Sequence, residues 1–313
     1  LSARVQIQFK NILFLLIQQY EPFALSIIDP LTPPKDCLLR LQHQLAHSNA
    51  FIQFSSLQLI YGFSCHESCH EILMGFRTYT QNELLSVLKK TTIQGSNPYI
   101  RYYSLLIWKN LMNSSKESLT HFLCLSEKCL NLFVLLLQDE SHLTLKRVSL
   151  SILRDIIIRK QNDQEWFLLY HHFNILFECT ELFRHHLSLV TREFNLKSIS
   201  LKTLSSPIRY DLLLLEDLYF FLVSFIRSYQ QHFSSSKENE AQTHPLLRLF
   251  DQYNFENYMG SYLSLIGKIC QVQPNMNAVY TSLKSSWKII KDSYSDLIKQ
   301  ASKTIEEQQP VSK

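Results

Sequence analysis

Ser96-Asn97-Pro98-Tyr99-Ile100-Arg101-Tyr102-Tyr103-Ser104-Leu105-Leu106-Ile107-Trp108 decides the reading of this chain, because it has two relatives within the same sequence. Ser48 to Ile60 precedes it and Ser141 to Leu153 follows it, at offsets of 48 and 45 residues, and the three align without gaps. Each opens on a polar turn, starts a helix, carries a Ser-Leu pair and continues with apolar residues in step. The pairs are Ser56-Leu57, Ser104-Leu105 and Ser149-Leu150. A helical unit recurring at this interval cannot bury its apolar face alone, so neighbouring copies must supply the rest of its core. Between the second and third copies, Lys116 to Leu123 and Leu130 to Asp139 read as two more helices.

Outward from these copies the same periodicity holds almost throughout. Apolar residues at three- and four-residue spacing predict helices over 3–20, 35–47, 49–63, 65–76, 80–91, 97–113, 115–124, 126–138, 142–160 and 162–190. Further helices are predicted over 192–204, 208–233, 246–271 (broken near Tyr253 to Glu256) and 275–308. Breaks fall at Pro22, at Pro30 to Pro34, at Gln94 to Pro98, at Pro207 and at Pro274. No stretch reads as a strand, so the expected fold class is all-α. Ser234 to Glu240 is small, polar and charged, which reads as a flexible linker over 234–244. The expected organisation is helical repeats over 1–233, that linker, a C-terminal helical cap over 245–308 and a disordered tail over 309–313. The last helix is amphipathic and bears Lys284, Lys288, Lys291, Lys299 and Lys303.

Composition removes several classes of function. The 313 residues suffice for one large or two small domains, and 46% are apolar. Only five are glycine, and no G-x-G-x-x-G or G-x-x-x-x-G-K-[ST] loop exists, so neither phosphate cradle is encoded. A net charge of +4 is too small to imply nucleic acid by itself. Seven cysteines make an odd, sparse set that does not read as a disulfide framework. A reducing intracellular location, cytoplasmic or nuclear, is expected. The longest apolar stretch, Leu212 to Ile226, is interrupted by Glu216 and Asp217, so no membrane span is expected. The chain starts at Leu1 without methionine and soon turns helical, which reads as a segment of a longer protein or a processed one.

The repeating unit resembles an armadillo or HEAT-type repeat. Asn97-Pro98-Tyr99-Ile100 and Lys109-Asn110-Leu111 match the start of the family's unit, and Leu132 with Leu135-Leu136 matches its last helix. Over Asn97 to Leu111 the chain is also similar to a repeat of the ataxin-10 family. The general resemblance covers about residues 38–160, and Ser126-Glu127 stand where the family has a glycine. It implies an armadillo-like α-solenoid, a right-handed superhelix of stacked helices. It further implies a non-enzymatic scaffold, adaptor or regulatory subunit, without a cofactor, that binds a protein partner within a larger complex. In the family a groove-lining helix carries a Trp and, four residues on, an Asn that holds a bound peptide. The Asn position falls on Gly62, Asn110 and Asp155, of which Asn110 alone keeps the residue. The Trp position falls on Gln58, Leu106 and Ser151, so importin-type peptide binding is not implied. The candidate partner-binding residues are Tyr102, Asn110, Arg147, Arg154 and Asp155.

Three other patterns point towards chemistry. His66-Glu67-Ser68-Cys69-His70 fits H-E-x-x-H, a spacing that on a helix puts two imidazoles on one face with a glutamate as general base of a zinc hydrolase. The third ligand and the apolar residue after the glutamate are missing, and the two histidines also continue an apolar seam from Leu59 through Phe63 to Leu73. Cys65, His66, Cys69 and His70 are the candidates for a structural zinc site, with Cys37 as a further ligand. Two basic ridges, Lys146-Arg147-Arg154-Arg159-Lys160 and Arg184-Arg192-Lys197-Lys202-Arg209, suit a nucleic-acid backbone as an alternative to a protein partner. The adjacent pairs His171-His172 and His185-His186 point about 100° apart on a helix and chelate nothing alone.

Overall fold

A computed structural model describes residues 3–29, 37–75, 84–95, 97–115, 129–138, 142–159, 174–197, 206–233, 254–272 and 277–308. These residues form α-helices and one 3-10 turn, with no strand among them, so the fold is all-α. The chain divides into two compact units, Leu1–Ile156 and Ile157–Lys313. That boundary falls inside the stretch 1–233 that the sequence reads as one run of repeats. The linker 234–244 and the tail 309–313 lie outside the described residues, as do the helix expected over 115–124 from Lys116 onward and the earlier part of that over 162–190.

The first unit contains α1 (Ala3–Gln19), α2 (Glu21–Ile28), α3 (Cys37–Leu45), α4 (Ala50–Ser64), α5 (His70–Leu73), α6 (Leu84–Gln94), α7 (Pro98–Met112), α8 (Cys129–Gln138) and most of α9 (Leu143–Arg159). Asn49 and Asn97 stand at the same repeat position and do the same work. Each takes an extended backbone, and its Oδ1 accepts the amide two residues on, from Phe51 at 2.9 Å and from Tyr99 at 2.8 Å. That satisfies one of the amides a helix start leaves unpaired. Pro98 follows in the first turn, where its missing N–H costs nothing.

Packing joins these helices in two rows. α3 packs on α6 and α6 on α8; α1 packs on α4 and α4 on α7. The rows are tied crosswise by α3 against α4 and α6 against α7. Lys109 of α7 reaches α9, its Nζ donating to Ser151 Oγ at 3.0 Å. The repeat's Ser-Leu pairs occupy equivalent buried places: Ser56, Ser104 and Ser149 are buried, as are Leu57, Leu105 and Leu150. Each serine hydroxyl lies 2.9–3.0 Å from the carbonyl four residues back, Ser56 from Ile52, Ser104 from Ile100 and Ser149 from Leu145, and that of Ser56 also lies 2.7 Å from Gln44 Oε1 of α3. A buried hydroxyl needs such a partner, and its small side chain lets neighbouring helices approach. Trp108 is fully buried between the rows, with its indole N–H donating to Thr92 Oγ1 of α6 at 3.2 Å.

Two sequence expectations need correction here. Pro22, expected as a break, sits in the first turn of α2, a helix the periodicity missed; the bend falls at Tyr20, whose backbone is extended. The break expected between 190 and 192 does not exist, since one helix runs through both.

Among the described residues, the second unit contains α10 (Asn174–Lys197), α11 (Ser206–Phe233), α12 (Phe255–Val272) and α13 (Asn277–Gln308). α10 packs on α11, α11 on α13, α13 on α12 and α12 back on α10. The four therefore close a ring of contacts around an aromatic centre. Tyr262 lies 5.3 Å from Phe183 and 5.4 Å from Tyr219 between ring centroids, and Phe255 lies 5.9 Å from Trp287. Tyr219 Oη donates to the Leu283 carbonyl at 2.6 Å, and His186 Nδ1 meets Asp211 Oδ1 at 3.0 Å. Asn254 precedes α12 with a left-handed backbone (φ 50°); residues 246–253, the part of the expected helix before the break, lie outside the described residues. Among the described residues no single helix is long and apolar enough to cross a membrane.

Two substitutions test this packing. A Cβ on Gly62 would stand 3.0 Å from Ile17 Cγ2 and 3.4 Å from the Phe14 ring, so α1 approaches α4 over a missing side chain. Gly62→Val is expected to destabilise the protein by about 1–3 kcal/mol, read as a lowered denaturant midpoint. Tyr219→Phe keeps the ring and loses one buried hydrogen bond, for a cost of about 1 kcal/mol in the same assay.

Candidate functional site

α7 packs on α4 and is linked to α9 through Lys109, which reaches Ser151 and Asp155. On α7 the core takes Ile100, Ser104, Leu105, Ile107, Trp108, Leu111 and Met112, each apolar one contributing about 1.5–3 kcal/mol by burial. That leaves Tyr99, Tyr102, Tyr103, Leu106, Lys109 and Asn110 facing outward. Their rings join a ladder across helices. Phe14 of α1 stacks on Tyr61 of α4 at 6.3 Å, Tyr61 meets Tyr103 edge-on at 5.8 Å, and Tyr103 meets Phe54 at 5.1 Å and Tyr102 at 6.1 Å. Phe51 of α4 and Tyr99 of α7 are exposed rings.

The five candidate residues divide between two helices. Tyr102 and Asn110 lie on α7, and Arg147, Arg154 and Asp155 lie on α9, all half-buried. Asn110 does not present a free amide: its Nδ2 donates to Ser64 Oγ at 3.0 Å and to Cys65 Sγ at 3.7 Å. Asp155 lies 4.0 Å from Lys109 Nζ and 4.0 Å from Arg154 Nε. The face thus grades from aromatic on α4 and α7 to positively charged at Lys109, Arg147 and Arg154. Alignment of the repeats found Tyr102 and Asn110; it missed Lys109, whose bonds run to residues 42 and more positions away.

The H-E-x-x-H segment is not the helix its spacing predicts over 65–76. His66 is extended, Glu67–Cys69 form a 3-10 turn, and α5 begins only at His70. Each imidazole instead holds the backbone. His66 Nε2 lies 2.6 Å from the Ile17 carbonyl and His70 Nε2 lies 2.8 Å from the Ser64 carbonyl. A carbonyl only accepts, so both Nε2 atoms carry their proton and donate, which removes them as metal ligands in this arrangement. Glu67 turns to the end of α7, accepting from the Ser115 hydroxyl and from its amide at 2.7 Å, with Ser114 Oγ at 3.4 Å. Those bonds hold its carboxyl below the ordinary value, the Ser115 hydroxyl contributing most. Glu67 therefore joins the turn after one repeat helix to the turn after the next.

Cys69 is buried, which pushes its thiol up to about 11, and burial also raises Cys65 and Cys37. Among the described residues no three His, Cys, Asp or Glu side chains converge as metal donors. The basic ridges are thinner than the sequence implied. Lys146, aligned with Arg101, is 1% exposed and takes no part in a surface ridge. The Arg159 and Lys197 side chains, and Lys160 and Lys202 altogether, lie outside what is described. Arg184 is paired with Glu181 at 3.0 Å. Of the adjacent histidines, His171-His172 lie outside the described residues, and His186 is buried while His185 is exposed.

Unit two carries an open groove of about 590 Å³ lined by Thr191, Phe194, Asn257, Ser264, Lys268 and Trp287, among others. Glu256 and Lys291 pair beside it at 2.5 Å. Sequence reading had no signal for it, since its walls come from three separate helices. Compared with family models, with curated proteins and with solved structures, the chain matches none.

The Glu67 staple has a pH signature. The carboxyl is lowered in the fold, so the stability it adds is present above the ordinary glutamate range and is lost as pH falls through the lowered value. Wild type is expected to exceed Glu67→Gln near neutrality by no more than about 1 kcal/mol, because solvent screens an exposed carboxylate. The gap should close as pH falls below the ordinary glutamate range, in denaturant titrations at each pH.

Proposed function

We propose that the chain is an armadillo-like α-solenoid in its repeat region and serves as a non-enzymatic scaffold, adaptor or regulatory subunit. Its partner is a protein, bound on the face formed by α4, α7 and α9 within a larger assembly. The observation that carries this reading is the threefold equivalence of Ser56, Ser104 and Ser149, with the same burial and the same hydrogen bond in three repeat-related helices. Repeats stacked in this way offer one long surface rather than one enclosed cavity. The surface itself supports a protein ligand: Tyr and Arg are the residue types that contribute most at protein interfaces. Tyr102, Tyr103, Arg147 and Arg154 would be the anchoring side chains, and Asp155 with Lys109 would set the register. An intracellular, reducing setting belongs to the same reading, on the sparse and odd set of seven cysteines.

Capture of the tagged protein from its native cells, beside the Arg147→Glu, Arg154→Glu form, tests the proposal. A defined set of proteins should accompany wild type and fall by about ten-fold or more with the charge reversal. Material that is mainly nuclease-sensitive and released by salt would favour the nucleic-acid alternative instead. A protein set retained in full by the variant would move the binding surface off α9.

A further inference from the structure

Gly260 stands inside α12, and no packing among the described residues accounts for it. A glycine within a helix is less favourable than alanine, because it loses more backbone freedom on folding and packs no side chain. Two other helical glycines offset that cost by letting a neighbour in. A Cβ on Gly62 would stand 3.0 Å from Ile17, and one on Gly267 would stand 3.3 Å from the Tyr280 hydroxyl. A Cβ on Gly260 would meet nothing within 4 Å among the described residues, and Gly260 does not hold a left-handed backbone. What it does is line the open groove of the second unit. That groove, of about 590 Å³, has the size of a small-molecule site.

We propose that this groove binds a small organic carboxylate with a flat apolar body, which lies against the α12 backbone at Gly260. Charge argues for the carboxylate. Glu256, the acidic residue of the lining, is held by Lys291 at 2.5 Å. Lys268 enters no ion pair among the described residues, so the groove keeps one positive charge for a ligand. Ser264 lies one helical turn before Lys268, and both are exposed on α12. Their ammonium and hydroxyl can therefore donate to the two oxygens of one carboxylate. A phosphate fits less well, since no arginine among the described lining residues offers it a bidentate grip. An acidic protein segment fits less well too, because one open cation cannot match a row of carboxylates. Shape argues for the flat body. Phe194 from α10, Leu265 from α12 and Trp287 from α13 give the groove an apolar surface on each of its three helices. Aromatic walls favour a flat ring, and Phe255 holds Trp287 in place at 5.9 Å between ring centroids. The site belongs to the second unit and does not depend on the function proposed for α4, α7 and α9.

The test titrates 2-naphthoate into the full chain and reads binding by ligand-observed NMR. Affinity is expected to fall about ten-fold or more in Lys268→Ala and in Gly260→Leu, which fills the groove. The uncharged 2-naphthamide should also bind about ten-fold less well than 2-naphthoate, a comparison that needs no variant. Gly260→Ala separates a ligand role from a structural one: it is expected to raise the denaturant midpoint while weakening 2-naphthoate binding. Absence of 2-naphthoate binding overturns the proposal, as does binding undiminished in Gly260→Leu when its helicity matches wild type. An unchanged or lowered midpoint in Gly260→Ala overturns it too, by giving the glycine a packing role. Binding of a glutamate-rich peptide in place of 2-naphthoate, lost in Lys268→Ala, would overturn it in favour of a protein partner.

Discussion

The contact between α4 and α7 is the constraint on which the first unit rests. Two helices of related sequence lie against each other, and each buries a serine and a leucine at the same place. The Ser56 hydroxyl meets the Ile52 carbonyl and Gln44 of α3, and that of Ser104 the Ile100 carbonyl, so neither is left unsatisfied. The leucines, Ile60 and Trp108 complete the core. The turns that end these helices are then near enough for Glu67 to join Ser115 and for Asn110 to join Ser64. The outward face inherits its shape from the same contact. Lys109 can reach Ser151 and Asp155 of α9 only because α7 stands where the packing puts it.

Much of this architecture is legible in the sequence because it is local and repeated. The Asn caps and the Ser-Leu pairs sit at fixed offsets, and each does in one copy what it does in the next. The all-α class follows from the periodicity and from the scarcity of glycine. Tyr102, Arg147 and Asp155 can be placed on one side of their helices by counting alone.

What counting misses is set by partners far along the chain. His66 and His70 have helical spacing, yet the carbonyl of Ile17, 49 residues away, holds His66 in an extended backbone. Lys146 has the polarity of a surface residue and the register of a core one, and register wins because its neighbours on both sides are packed. Pro22 sits in the first turn of α2, past the bend at Tyr20, which a breaker rule reads only as an end. The groove of the second unit needs three helices at once, and no stretch of sequence contains more than one of its walls.

The ring of contacts in the second unit has a bearing on how its parts can fail. In a row, each helix answers only to its neighbours, so damage to one end leaves the far end standing. In a ring, every helix is held by two others and the last contact closes on the first. Tyr219 and Leu283 are joined across 64 residues of chain, and loosening that join frees two helices together. The second unit is therefore built to melt as one body, whereas the rows of the first can fray from an end while their middle holds.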